Sequence, residues 1–151
     1  MLSLPCPSST ILLKGYAYRF SGYGKAFGED AKMAALRFGT LVTCIDGRVQ
    51  RPTILWMREH YGLDFVDVIS EPGPDKLMAE GWPSDVVPVR KKVSFSVQAH
   101  ASRLVALCGH YDCAGNPATP EVHRQQIGEG VRLLRSWALD ADVIGLWINE
   151  H

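Results

Sequence analysis

The chain has 151 residues, 46% of them hydrophobic, and its sixteen Lys plus Arg balance sixteen Asp plus Glu. These values describe one domain with a substantial core, and they exclude both the overall basic field of a nucleic-acid binder and the acidity of a solvated tail. No stretch reaches the roughly 18 consecutive apolar residues of a membrane span, and Met1 to Leu13 lacks the positive start of a secretory signal. The cytoplasm is therefore the expected compartment, with neither nucleic acid nor membrane as a partner. In such a chain the four cysteines, Cys6, Cys44, Cys108 and Cys113, point to metal binding or catalysis before disulfides.

Residues 1–27 carry Pro5, Pro7, five aromatic residues and three glycines without alternation or helical period, and read as an irregular arm ahead of a single domain over residues 28–151. Glu29 to Phe38 has the composition of a short helix. Thr40 to Cys44 is β-prone and ends at the turn signal Asp46-Gly47. A helix is then expected from Pro52, a residue suited to a first helical position, to a close at Gly62, with Ile54, Met57 and Tyr61 on its apolar side. Phe65 to Ile69 reads as a buried strand, and Glu71-Pro72-Gly73-Pro74 as a tight, stiff loop after it.

Between Ser84 and His100 two periods compete: Val93, Phe95 and Val97 alternate, whereas Val86, Val89, Val93 and Val97 recur at helical intervals. The longer pattern predicts a helix, capped by Ser84 or Asp85. Arg103 to Cys108 is a third strand. Thr119 and Pro120 open the clearest helix, whose stripe is Ile127, Val131, Leu134 and Ala138, although Gly128 and Gly130 each cost about 1 kcal/mol against Ala. Val143 to Ile148 supplies a fourth strand. Alternating strands and helices give an α/β fold, a mostly parallel four-stranded sheet flanked by helices.

Open parallel sheets bind ligands beyond the carboxyl ends of their strands, where the strand order reverses. Two clusters occupy such ends: Cys44-Ile45-Asp46-Gly47-Arg48 after the first strand, and His110-Tyr111-Asp112-Cys113 after the third. In strand order 2-1-3-4 they face each other across the switch point. Two thiolates and one imidazole, from Cys44, Cys113 and His110, suit a zinc ion with three protein ligands and an open fourth position for water. Asp46 would accept the hydrogen of a zinc-bound hydroxide, and Arg48 would hold Asp46 bidentately, off the metal. The plainer alternatives are core cysteines with a structural histidine, and a turn-capping ion pair of Asp46 with Arg48. Asp112 reads equally as an outer partner of the site or as a turn former. Cys108 reads as core, Cys6 as an ordinary thiol, and His60, His100, His123 and His151 as surface residues.

Cys-x-Asp-x-Arg followed about sixty residues on by His-x-x-Cys resembles the zinc and dyad signature of the β-class carbonic anhydrases, and the likeness runs from roughly Thr40 to Asn149. It implies zinc on Cys44, His110 and Cys113, Asp46 and Arg48 as the catalytic dyad, and reversible hydration of carbon dioxide to bicarbonate. It also implies a homodimer or larger homo-oligomer, because active sites in that family lie between subunits. In some members the aspartate itself binds the resting zinc.

The chain departs from the family pattern in three places. It has no glutamine before Gln50, where members commonly carry one upstream of the first zinc cysteine. Asn-Ala-Gly-Asn after the second strand is replaced by Glu71-Pro72-Gly73-Pro74, and Gly-Gly after the second zinc cysteine by Ala114-Gly115. These changes leave open a related zinc hydrolase acting on carbonyl sulfide or carbon disulfide, and a non-catalytic zinc-binding homologue.

Overall fold

The computed structural model describes residues 12–13, 16–17 and 36–149. Within the expected arm, β1 (Leu12–Leu13) and β2 (Tyr16–Ala17) pair antiparallel. The remainder of the arm, Cys6, His151 and most of the helix expected at Glu29 to Phe38 lie outside the described residues. Phe38 itself opens a strand, β3 (Phe38–Thr43). The chain continues through α1 (Gly47–Tyr61), β4 (Phe65–Ser70), α2 (Pro74–Glu80), α3 (Pro83–Ala99), β5 (Leu104–His110), α4 (Pro120–Ser136) and β6 (Asp142–Ile148).

Strands β3 to β6 form one sheet, parallel throughout, in the order β4-β3-β5-β6. This is the expected 2-1-3-4 arrangement. The two central strands carry near-continuous apolar runs because both faces of the sheet are covered, and every residue of β5 is buried. On one face Met57 of α1 packs with Leu41, Ala106 and Cys108. On the other, Met78 of α2, Val89 and Val93 of α3, and Ile127, Val131 and Leu134 of α4 pack over Val42, Val105 and Leu107.

Several boundaries differ from the sequence expectation. Helix α1 starts at Gly47 rather than Pro52, because the Asp46 side chain accepts the backbone N–H of Arg48 at 2.9 Å and caps the helix there. Pro52 therefore lies inside α1, where the cap and the burial of Val49, Thr53 and Met57 outweigh one missing backbone bond. The stiff loop after β4 is shorter than expected. Pro74 starts α2, with Gly73 at the cap in the left-handed conformation (φ 54°) and Pro74, Asp75 and Met78 buried. Between Ser84 and His100 the helical period prevails over the alternation, since Val89, Val93 and Ser96 turn inward together; the cap position is Trp82, not Ser84 or Asp85. Helix α4 begins after Thr119 as expected but stops at Ser136, so Ala138 falls beyond it with φ 53°. Strand β5 runs two residues beyond the expected end at Cys108, which makes His110 its last residue instead of a residue after it.

The two glycines of α4 have opposite roles. A Cβ at Gly128 meets only Arg132 Nη1 at 3.9 Å, whereas one at Gly130 would overlap Leu107 Cδ2 and lie 2.9 Å from Met78 Cβ. Gly128→Ala should raise stability by up to about 1 kcal/mol, and Gly130→Ala should lower it by about 1–3 kcal/mol by forcing α4 off the sheet. Urea unfolding of both variants checks the pair, and equal shifts of one sign would refute it.

Candidate metal centre

The strand order leaves a crevice between the carboxyl ends of β3 and β5, where their chains diverge to β4 on one side and β6 on the other. Cys44 follows β3 directly, His110 ends β5, and Cys113 comes three residues later in the connection to α4. All three are buried, and their possible ligand atoms lie within 4.8 Å of one another. The two sulfurs are 3.8 Å apart. Val49 of α1 and Ile148 of β6 pack around them.

The histidine is already oriented. Its Nδ1 lies 2.7 Å from the backbone carbonyl of Tyr111, an atom that can only accept, so the ring proton sits on Nδ1. Nε2 is then a bare lone pair, buried without a hydrogen-bond partner among the described residues. Burial, and after it the adjacent Cys44, raise the pKa of the Cys113 thiol above its ordinary value. A buried imidazole lone pair beside two buried thiols is a donor set that a cation completes. Cys44, His110 and Cys113 could hold a metal ion.

Asp46 and Arg48 flank this cluster. Arg48 Nε donates to both carboxylate oxygens at 3.0 Å, and its Nη2 donates to Oδ2 at 2.6 Å. These bonds hold the Asp46 carboxyl down at about 2. Asp46 is consequently ionised at any working pH. Arg48 is held from the other side by Asp112, through Oδ2 at 3.3 Å and the backbone carbonyl at 3.2 Å. Asp112 itself occupies a left-handed turn position (φ 50°). Asp46 caps α1 and pairs with Arg48.

The other titratable candidates separate cleanly. Cys108 is fully buried, and burial pushes its thiol up to about 11, as befits a core residue. His60 is exposed and stacks on Trp56. His123, expected on the surface, is 1% exposed. It lies four residues before Ile127 on the buried stripe of α4, a spacing that already places it on the inner face. An open cavity of about 400 Å³, lined by Pro52, Thr53, Trp56, Leu146, Trp147 and Ile148, borders the centre through Ile148.

Comparison with known families agrees with this geometry. A family model described as "Putative carbonic anhydrase" matches residues 34–151, which include every residue of the centre. The chain belongs to that family. No curated protein matches it. Among the described residues of this family member, no helix is long and apolar enough to cross a membrane. The two loops in which it departs from the β-class pattern, around Gly73 and Gly115, lie against each other beside the centre.

Removing a bound metal should leave two thiols in near contact. With diamide as oxidant, we expect the metal-free protein to form a Cys44–Cys113 disulfide, whereas Cys108 stays reduced, and peptide mapping by mass spectrometry identifies the link. Linkage through Cys108 in the folded protein would contradict this arrangement.

Proposed function

We propose that the chain binds zinc through Cys44, His110 and Cys113 and catalyses the reversible hydration of carbon dioxide to bicarbonate. The observation that carries the metal assignment is the 3.8 Å separation of the two sulfurs. A tetrahedral ion with Zn–S bonds of about 2.3 Å requires an S···S edge of about 3.8 Å, so the thiols already stand at the distance zinc needs. Zinc held there would supply a Lewis acid that lowers the pKa of a bound water to about 7.

The protein's own groups account for the rest of the chemistry. The ionised Asp46 carboxylate is acceptor-only, so it takes a hydrogen bond from the reacting water and leaves a lone pair of that oxygen for the carbon of carbon dioxide. Arg48 fixes the plane of this carboxylate with its paired N–H groups, and Asp112 keeps Arg48 in place. Carbon dioxide gains the oxygen to become bicarbonate, and the proton released goes to solvent or buffer. Ile148 and the neighbouring apolar wall give an uncharged substrate a surface that polar competitors gain little from.

On this reading the partners are carbon dioxide and bicarbonate, the working assembly is a homodimer or larger homo-oligomer, and the compartment is the cytoplasm. Zero net charge supports a small-molecule substrate over a polyanion. The test is metal analysis of the purified protein followed by stopped-flow hydration of carbon dioxide. Zinc near one ion per chain with a rate above the buffer background is the expected result, and zinc-loaded protein at the background rate would overturn the proposal.

A further inference from the structure

The segments Glu71–Pro74 and Ala114–Pro117 form one contact. Gly73 and Gly115 meet backbone to backbone: a Cβ on Gly73 would lie 2.7 Å from the Gly115 carbonyl oxygen, and one on Gly115 would lie 2.7 Å from the Gly73 nitrogen. Behind this contact lies a buried polar cluster that the chemistry above does not use. Asp75, in the first turn of α2, is 0% exposed, and Asn116 is 2% exposed. Asp75 Oδ2 accepts from Asn116 Nδ2 at 3.1 Å and also from His123 Nδ1 of α4. Asn116 Nδ2 donates in addition to Gln126 Oε1 at 2.7 Å, and Gln126 Nε2 donates to Glu80 Oε1 at 2.6 Å, which returns the chain of bonds to α2.

This cluster touches both arms of the His110-x-x-Cys113 pair. The backbone N–H of Asn116 donates to the Cys113 carbonyl at 3.1 Å and closes the turn in which that cysteine sits. On the other arm, Asp75 Oδ2 stands 2.9 Å from the place a Cβ would occupy on Gly109, the residue before His110. One buried carboxylate therefore packs against the end of β5 and is bonded to the turn after it through Asn116. Such a carboxylate holds its donors firmly, because leaving either side unpaired in this setting carries the full desolvation cost.

We infer that Asp75 and Asn116 are positioning residues for the metal centre: together with His123 and Gln126 they lock α2 and α4 onto the connection after β5 and so set the distance between His110 and Cys113. The inference rests on the metal reading of Cys44, His110 and Cys113. It also gives the two departures from the β-class loop pattern a shared purpose, since Gly73 and Gly115 allow the approach that brings Asp75 to Asn116.

The test uses the full-length, zinc-loaded protein as wild type, Asn116→Ala, Asp75→Asn and the control Val131→Ala, which opens a cavity in the α4 core away from the cluster. Zinc release to a chromogenic chelator is followed, with the thiolate charge-transfer bands of the cobalt(II) forms and thermal unfolding of each variant. We expect Asn116→Ala and Asp75→Asn to release zinc about ten- to hundredfold faster than wild type, with altered cobalt bands and a native circular dichroism spectrum. Val131→Ala should lose thermal stability and release zinc at the wild-type rate. Wild-type release from both cluster variants would overturn the inference, as would equal acceleration in Val131→Ala or failure of both cluster variants to fold, which would make the cluster a stability element only. A wild-type protein that takes up neither zinc nor cobalt would instead overturn the metal reading, and the inference would fall with it.

Discussion

Asp46→Asn is expected to leave zinc content at the wild-type level and to lower kcat for carbon dioxide hydration by about two to three orders of magnitude. The amide keeps the size of the side chain and one carbonyl oxygen, so it can still accept the Arg48 backbone N–H that starts α1. It loses the charge that the Arg48 guanidinium engages through both carboxylate oxygens. It also replaces one acceptor oxygen by an NH2 donor, which cannot take the hydrogen of the reacting water and turn the water's lone pair toward carbon. Helix α1 should therefore survive while the chemistry fails. Thermal unfolding and metal analysis beside stopped-flow kinetics separate the two effects. Unchanged kcat in a zinc-loaded Asp46→Asn protein would remove Asp46 from the catalytic role and leave it a helix cap.

Cys113→Ser is expected to abolish hydration above background by loss of the metal. Serine is nearly isosteric, so the buried turn around residue 113 should persist, closed as before by the Asn116 N–H on the backbone carbonyl. The substitution removes a soft thiolate 3.8 Å from Cys44. With one sulfur and one imidazole left, zinc affinity should fall by more than the roughly 10–100-fold typical of losing an outer partner. Equilibrium dialysis against a competing chelator measures that loss. Wild-type affinity in Cys113→Ser would show that the ion, if bound, sits elsewhere. Cys108→Ser provides the contrast, since Cys108 faces the α1 side of the core beside Thr53 and should keep full zinc occupancy.

Much of this site is legible in the sequence because the decisive residues sit at positions that secondary structure fixes locally. The apolar run Leu104 to Leu107 has to be a central strand, so the residues directly after it lie at the carboxyl edge of the sheet. The turn signal Asp46-Gly47 likewise puts Cys44 at such an edge. The same local logic misplaces the start of α1, since Pro52 is the residue type of a first helical position whereas the capping bond from Asp46 forms several residues earlier. It also shortens β5 to its apolar run, because the pairing of Gly109 with Trp147 and of His110 with Ile148 is a property of two strands together.

Asp75, Asn116, His123 and Gln126 show the other limit. Each is a polar residue that, read singly, belongs on the surface or in a turn. They become interior only when α2 and α4 close over the end of β5 and each finds its donor or acceptor on a different element.

Hydrophobic period and residue spacing act over a few positions of chain, and they suffice for the fold class and for singling out the three residues able to hold a metal. They do not contain the 3.8 Å between two sulfurs, the choice of Nε2 as the free nitrogen of His110, or the place of Asp75 beside the end of β5. Those are relations between atoms far apart in the chain, and the packing of helices on the sheet sets them to fractions of an ångström.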